Sequence, residues 1–434
     1  MLKKGSWIEQ PDGYLNKTPV WQFILVSILF GLWAIAQSLN DVLITQFKAV
    51  FNLSDFATAF VQTAYYGGYF LIAIPASIFI KKNSYKLGII AGLSAYALGC
   101  FLFFPASRLV TYQVFLFAIF VIAVGLSFLE TSSNTYSTLL GTKKTATVRL
   151  NISQSINAVG LLVGILLGKY FVFTNTNLKT KMAHMSNQAA QIYGTHQLAR
   201  TLSPYKYLLI ALLILIILFA FTKFPSGKAK TDKNKAQIKL TETFKYLFHN
   251  HRYWHGVVAQ FLYMGVQTGI WSFTMRLALD MFPSFNERYV ANFMLYSYGF
   301  FIVSRFLGSY LLSRFSETKV LITFTLLCTL DILYATFIPN ISAIYAAILA
   351  SLFMGPCYPT IFARSLETVK DKRHTETASA FLVMAIVGGA ILPTLQGLLS
   401  DHTNMQFSFI LLVIEMFLVF IYFLSEKKYD KNYR

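Results

Sequence analysis

Asp41 and Glu130 are the residues of this chain whose presence most needs a chemical reason. Each is a carboxyl inside a long apolar run, where an ionisable group costs several kcal/mol unless it has a task or a partner. Trp33, Gln37, Asn40 and Asp41 recur at helical spacing, so one helix would carry them as a single polar-aromatic stripe. Ser127, Glu130, Thr131, Asn134 and Thr138 form a second stripe of the same kind. Neither run holds a Lys or Arg at comparable depth. An acid buried without a cation favours its protonated form, which suits it to taking and releasing a proton near neutral pH. The bland alternative is that each acid only hydrogen-bonds a neighbouring helix. Histidine, the other proton carrier, is confined to loops and span ends at positions 184, 196, 249, 251, 255, 374 and 402. Any proton coupling therefore falls to the acids.

Uncharged groups suited to hydroxyls accompany them. Gln154 and Asn157 lie one turn apart, and Gln260, Tyr263, Gln267 and Trp271 share a helical face. Carboxamides donate and accept, so they match sugar hydroxyls in pairs, and an indole offers a flat apolar face to the C–H side of a sugar ring. Interhelical hydrogen bonding is the competing explanation for such Asn and Gln. Arg305 and Arg314, toward the end of their run, are expected to snorkel or gate. Arg276 reads as an interface anchor, and Asp331 and Glu415 as acids packed against a partner. The series Gly160, Gly164, Gly168 reads as close helix packing. The neighbouring text GILLGKY lacks the spacing and Ser/Thr of a phosphate loop.

The elements that must position these groups follow from composition. Apolar residues make up 56% of 434 positions and charged ones 13%, against about 25% charged in soluble domains. Such a chain needs lipid as solvent. Runs long enough to span a bilayer lie near 20–46, 57–80, 87–106, 112–140, 150–174 and 204–223, then near 254–280, 290–313, 319–338, 342–363, 375–398 and 405–425. These predict an all-α membrane protein of twelve transmembrane helices. The first run, from about Trp21, is too long for a cleavable signal and lacks a small-residue cleavage site, so it is expected to be retained. Cys100, Cys328 and Cys357 are scattered singly, which implies neither a disulfide framework nor a metal site. No cofactor is implied.

The net charge of +19 would suggest nucleic acid in a soluble protein; here the cations fall in short gaps between apolar runs, and no nucleic-acid partner is expected. Even-numbered gaps are basic, with Lys81, Lys82 and Lys86, then Lys143, Lys144 and Arg149, then Arg314 and Lys319, then Lys370, Lys372 and Arg373. Odd-numbered gaps carry few cations, Lys48, then Arg108, then none around 339–342, apart from the long gap at 174–205 with Lys179, Lys181 and Arg200; the middle gap and the C-terminal tail are strongly basic. The positive-inside rule therefore places both termini and the middle loop in the cytoplasm. The stretch between spans five and six, residues 174–205, is expected as an external surface loop. The two halves also echo each other: in YYGGYFLIAIPASIFIKKNSYK (65–86) and YGFFIVSRFLGSYLLSRFSETK (298–319), Tyr65 meets Tyr298, Lys81 meets Arg314 and Lys86 meets Lys319. The expected organisation is a six-helix half at 1–223, a linker at 224–253 and a second six-helix half at 254–434. Parallel-repeat transporters use this layout, with substrate bound between the halves.

Several stretches resemble one family. LFGLWAIAQSLNDVLITQF (29–47), VQTAYYGGYF (61–70), KKNSYKLGIIAGLSAYALG (81–99), LETSSN (129–134) and RLNISQSINAVG (149–160) carry the resemblance in the first half. GVQTGIWSF (265–273), SRFLGSYLLSRF (304–315) and YPTIF (358–362) continue it in the second. The chain resembles the fucose/galactose/glucose–proton symporters of the major facilitator superfamily. The resemblance implies the major facilitator fold, Asp41 and Glu130 as the protonatable acids, and Trp33, Gln154 and Asn157 at the sugar. Gln37 and Ser38 stand where fucose symporters carry two Asn residues, while Glu130 stands where glucose/galactose relatives tend to have Gln. The family's Asn-Pro after the fourth-span acid is Asn134-Thr135 here, which is expected to straighten that helix.

The expected substrate site is therefore Trp33, Gln37, Ser38, Asn40, Gln154, Asn157, Gln267 and Trp271. The expected protein is a monomer in the cell membrane that takes up a neutral monosaccharide, L-fucose first, together with a proton. A glucose/galactose–proton symporter is the alternative, and a multidrug–proton antiporter a more distant one. An intramembrane enzyme is disfavoured, since no Ser/His, paired Asp or His/Glu metal constellation sits at membrane depth.

Overall fold

The structure is a computed structural model that describes residues 7–51, 55–109, 111–167, 185–228, 240–282, 284–285 and 287–432. Side chains are described within these except at 41–50, 55–60, 62–63, 108–109, 187, 190–191, 287–288, 291 and 430–432. All twelve predicted runs are helical where described. The helices are α1 (Val20–Val50), α2 (Asp55–Lys82), α3 (Tyr85–Leu109), α4 (Tyr112–Leu139) and α5 (Ala146–Leu167), then α6 (Asn187–Thr201), α7 (Ser203–Phe221) and α8 (Leu240–Phe248). They continue as α9 (His251–Met281), α10 (Glu287–Arg314), α11 (Glu317–Phe337), α12 (Ile341–Met354), α13 (Cys357–Glu367), α14 (Thr375–Met384), α15 (Gly388–His402) and α16 (Phe409–Glu426). Ten stretches among the described residues are long and apolar enough to cross a membrane; α9 and α10 fall outside that set. A chain immersed in hydrocarbon has no water to satisfy its backbone, so helices are what its spans must form.

Two of these helices were not read from the sequence as spans. α6 lies in the expected external loop, with the Ser186 hydroxyl accepting from the Ala189 N–H at its start (3.4 Å). The short α8 lies in the basic middle stretch and buries Thr243 and Leu247.

The described residues form two compact units, one of Val20–Tyr136 with Val159–Ser226, the other of Met1–Pro19, Ser137–Ala158 and Gly227–Arg434. In the first, α7 shows how lipid shapes the pattern. Leu208, Leu212, Leu215 and Phe219 are buried, while Ile210, Leu213, Ile214 and Ile217 are exposed. In water that exposed stripe would drive association; in a bilayer it is the face the solvent requires. Glycines let the buried faces meet. A Cβ on Gly125 of α4 would lie 2.7 Å from the Gly92 carbonyl oxygen of α3, and one on Gly160 of α5 would lie 2.8 Å from the Gly31 Cα of α1. Gly164 likewise faces Ser38, at 2.6 Å from its Cβ. The close-packing reading of this glycine series therefore holds at 160 and 164; Gly168 lies outside the described residues. Lys86 opens α3 and donates to the Ala220 and Thr222 carbonyls (2.9 and 3.1 Å), satisfying the end of α7.

In the second unit, span ten is broken. α12 stops at Met354 and α13 restarts at Cys357, with Gly355 and Pro356 between them. The freed backbone groups are taken up locally: Ser304 Oγ accepts from the Gly355 N–H at 2.9 Å, and the Tyr263 hydroxyl donates to the Met354 carbonyl at 3.0 Å. Span eleven changes pitch instead, through a 3-10 turn at Ala385–Val387 between α14 and α15. The helix ends at one side of this unit are tied by charge. Glu426 accepts from Arg252 (Nε–Oε1 2.7 Å) and Arg364 (3.3 Å), and Arg364 reaches Glu317 at 3.7 Å. The two stretches aligned in the sequence each hold a short turn between helices: α2 gives way to α3 across residues 83–84, and α10 to α11 across 315–316.

Candidate functional site

In the first unit the site begins on α1. Trp33 is buried, with its ring tilted over Phe30 at 4.2 Å. Asn40 is buried and Gln37 half-buried. The Ser38 hydroxyl donates to the Leu161 carbonyl of α5 at 2.9 Å, so its donor is committed to helix packing and only its lone pairs remain for a solute. The Tyr96 hydroxyl of α3 donates to the Leu32 carbonyl (3.3 Å) and helps fix this stretch of α1. Asp41 lies on the helical backbone of α1, and its side chain falls outside the described residues.

α4 brings the second acid. Glu130 is 6% exposed, within a run of buried polar residues from Ser127 to Thr138. Sequence spacing alone explains the stripe, and local hydrogen bonds explain how a helix tolerates it. Ser127 donates to the Tyr69 carbonyl of α2 (3.3 Å), and Ser132 bonds back to the Phe128 carbonyl one turn earlier (2.6 Å). α4 continues through Asn134-Thr135 to Leu139 without a break, as expected where the family's proline is missing.

In the second unit, Gln154 and Asn157 on α5 are buried. The same stretch of α5 is anchored by Asn151, which donates to the Thr360 hydroxyl at 3.3 Å, and by Ser155, which shares a hydrogen with Ser309 at 3.4 Å. Arg149 closes the end of α4 from this side, donating to the Ser137 carbonyl (3.2 Å) and to the Thr138 carbonyl. On α9, Gln267 and Trp271 are each 8% exposed. The indole of Trp271 packs on Tyr298 (4.7 Å) and edge-on to Phe301 (5.0 Å), while its N–H makes no hydrogen bond within the protein. Gln260, two turns before Gln267, is fully buried with neither amide atom partnered.

Arg305 is the residue that the sequence reading misplaced. It does not snorkel: it is 2% exposed, its guanidinium lies 4.7 Å over the Phe301 ring, and its Nε and Nη1 make no hydrogen bond within the protein. The signal was available. Arg305 precedes Arg314, at the end of α10, by nine residues, about 13 Å of helix rise, which is too far for its side chain to reach the interface. Trp271, Phe301 and Arg305 thus present an aromatic surface and unspent N–H donors together. That set can receive hydroxyl or ring oxygens of an uncharged polar solute, and the carboxamides can both give and accept.

Comparison with known proteins gives a consistent picture. The model of the Major Facilitator Superfamily matches residues 23–291 and 281–433. The chain is 34% identical over 392 residues to an L-fucose-proton symporter of Escherichia coli (strain K12), spanning 90% of this chain and 89% of that one. It is 31% identical over 399 residues to a glucose/galactose transporter of Brucella abortus biovar 1 (strain 9-941), spanning 90% of each. A crystal structure of FucP, a Major Facilitator Superfamily transporter, in the outward conformation is similar with a TM-score of 0.86 at 34% identity, covering 93% of this chain and 98% of that one.

Proposed function

Because the chain belongs to the Major Facilitator Superfamily, we propose that it is a proton-coupled sugar symporter that takes up L-fucose. The observation that carries this is Glu130, a carboxyl buried in the middle of α4, in a chain a third identical over nine-tenths of its length to an L-fucose-proton symporter. Asp41 and Glu130 carry the proton. Protonation removes a buried charge and admits the sugar, which is held by Trp33, Asn40, Gln154, Asn157, Gln267 and Trp271, with Gln37 and Ser38 at its edge. Arg305 adds donors to this set. The chain works as two six-helix halves, 1–223 and 254–434, joined by a cytoplasmic linker at 224–253, with both termini cytoplasmic and the monomer as the working unit. The halves rock to expose the sugar inward, and release follows when the proton leaves to the more alkaline side. Coupling requires that sugar and proton together favour the transition that neither favours alone.

The test is to add L-fucose to de-energised vesicles containing the protein and follow the external pH, with galactose and glucose run beside it. Alkalinisation with fucose is expected. A hexose alone giving the signal would move the substrate to the glucose/galactose reading, which the Brucella relative and the Gln37–Ser38 departure favour. No signal with any sugar, together with proton-driven dye efflux, would refute the symport reading in favour of an antiporter.

A further inference from the structure

Glu415 sits on α16 and is not among the residues assigned to sugar and proton above. It is 2% exposed, and neither carboxyl oxygen makes a hydrogen bond within the protein. Among the described residues it enters no ion pair. Its neighbours show why the chain accommodates it. A Cβ on Gly265 of α9 would lie 2.8 Å from Glu415 Oε2, and a Cβ on Gly269 would lie 2.7 Å from Gln396 Oε1 of α15. Gln396 is fully buried, and neither of its amide atoms has a partner. The two glycines are one turn apart, about 6 Å along the axis. Carboxyl and amide therefore lie on successive turns of one glycine-lined face of α9, in space that any side chain would fill.

We infer that Glu415 is a proton-binding carboxyl distinct from Asp41 and Glu130, held protonated on the Gly265–Gly269 face of α9 with the Gln396 amide oxygen as its hydrogen-bond acceptor. An ionised carboxylate here would carry its full desolvation cost with nothing to offset it. The helices packed on α16 are α9, α11 and α15. On α9, His251, Arg252 and His255 lie near one end and Arg276 and Asp280 near the other, and Arg252 is paired with Glu426. On α15, Asp401 and His402 are terminal; on α11, Glu317 and Lys319 are terminal, and Asp331 has the same sign as Glu415. None supplies a counter-charge. A hard metal cation is disfavoured, since Glu415 and Gln396 offer three side-chain oxygens against the six or more such ions take. The opposite side of α9 packs Trp271 on Tyr298 and Phe301 of α10. Losing the proton would draw water onto the glycine face and loosen α9 from α15 and α16, so occupancy at Glu415 is linked to the packing of the helix that carries Trp271. That link bears on transport only through the symport proposed above; the proton site does not depend on the sugar.

Infrared difference spectroscopy of the protein in lipid, wild type minus Glu415→Gln at neutral pH, tests it. The expected result is loss of one protonated-carboxyl band with no change in the ionised carboxylate region. In Gln396→Leu that band persists but moves to higher frequency, because its acceptor is gone; this variant also serves if Glu415→Gln does not fold. Raising the pH until the band disappears is expected to speed amide hydrogen exchange in residues 260–275 of the wild type beyond the base-catalysed rise that Glu415→Gln shows over the same range. Loss of a carboxylate band instead, or a band unmoved by Gln396→Leu, overturns the inference. Absence of sugar-driven proton movement with the band intact would sink the substrate reading alone.

Discussion

Gly160→Ala should loosen the pairing of α1 with α5, and the size of the effect follows from the geometry. The added methyl would stand 2.8 Å from the Gly31 Cα, closer still to its carbonyl oxygen, where ordinary contact begins at 3.4 Å. The obstructing atoms are backbone, which cannot rotate aside, so the two helices must separate by about half an ångström or more. Overpacking of this kind costs about 1–3 kcal/mol, offset by about 1 kcal/mol that Ala gains over Gly in a helix interior. The net expectation is a loss of up to about 2 kcal/mol. Gly67→Ala on α2 is the control: nothing lies within 4 Å of its added methyl, so only the propensity gain of about 1 kcal/mol remains. Thermal unfolding of both variants in one detergent, followed by the loss of the monodisperse peak, reads the order directly. Gly160→Ala should melt below wild type and Gly67→Ala at or above it. If Gly160→Ala melts with wild type, the close approach of α1 and α5 is not what the glycine is for. Because α1 carries Trp33 and Asn40, sugar affinity should fall with stability in Gly160→Ala and hold in Gly67→Ala.

Glu130→Gln and Asp41→Asn should each abolish uphill accumulation while leaving sugar exchange across a de-energised membrane; a one-unit pH gradient drives about tenfold accumulation per coupled proton, and the variants should equilibrate near onefold. If both keep the tenfold gradient, neither acid carries the proton. Glu426→Leu should be more destabilising than Arg364→Leu. The first removes the acid that Arg252 and the buried Arg364 share, while the second leaves Glu426 still paired with Arg252. Breaking buried pairs costs about 3–5 kcal/mol, and melting midpoints in the reverse order would contradict the network. Asp371, in the turn after α13, is held down to about 2 first by the Arg373 side-chain hydrogen bond (Nε–Oδ1 2.9 Å). Its folded value lies below the unfolded one of about 3.9, so its contribution is complete above about pH 4 and is lost as pH falls through about 2. The pair is about a third exposed, so solvent screening keeps the effect small; Asp371→Asn should flatten this acid limb of the stability profile, and an unchanged limb would rule the pair out as its source.

How much of this was legible beforehand differs by residue. Hydropathy located twelve runs that are helical where described, ten of them holding stretches long and apolar enough to cross a membrane, because a bilayer core imposes one length and one polarity on every segment that crosses it. Helical spacing put Trp33 with Asn40, Glu130 with Ser127 and Asn134, and Gln267 with Trp271, because a helix's period is a local property. The same locality made Gly160 and Gly164 readable as packing positions, although not what they pack against. Within residues 174–205, expected as an external surface loop, the polar text gave no sign of the helix α6 that forms at 187–201 with a Ser186 cap. What the sequence could not determine is which polar atoms find partners, since that depends on neighbours distant in the chain. Ser38 looked like a solute contact, and its hydrogen is given to Leu161. Arg305 looked like an interface residue, and it lies buried over Phe301. Glu415 looked like an acid packed against a partner, and tertiary packing sets it instead against Gly265, with neither carboxyl oxygen hydrogen-bonded within the protein. One-dimensional pattern follows from the solvent and the helix; satisfaction of buried polar groups is decided between helices.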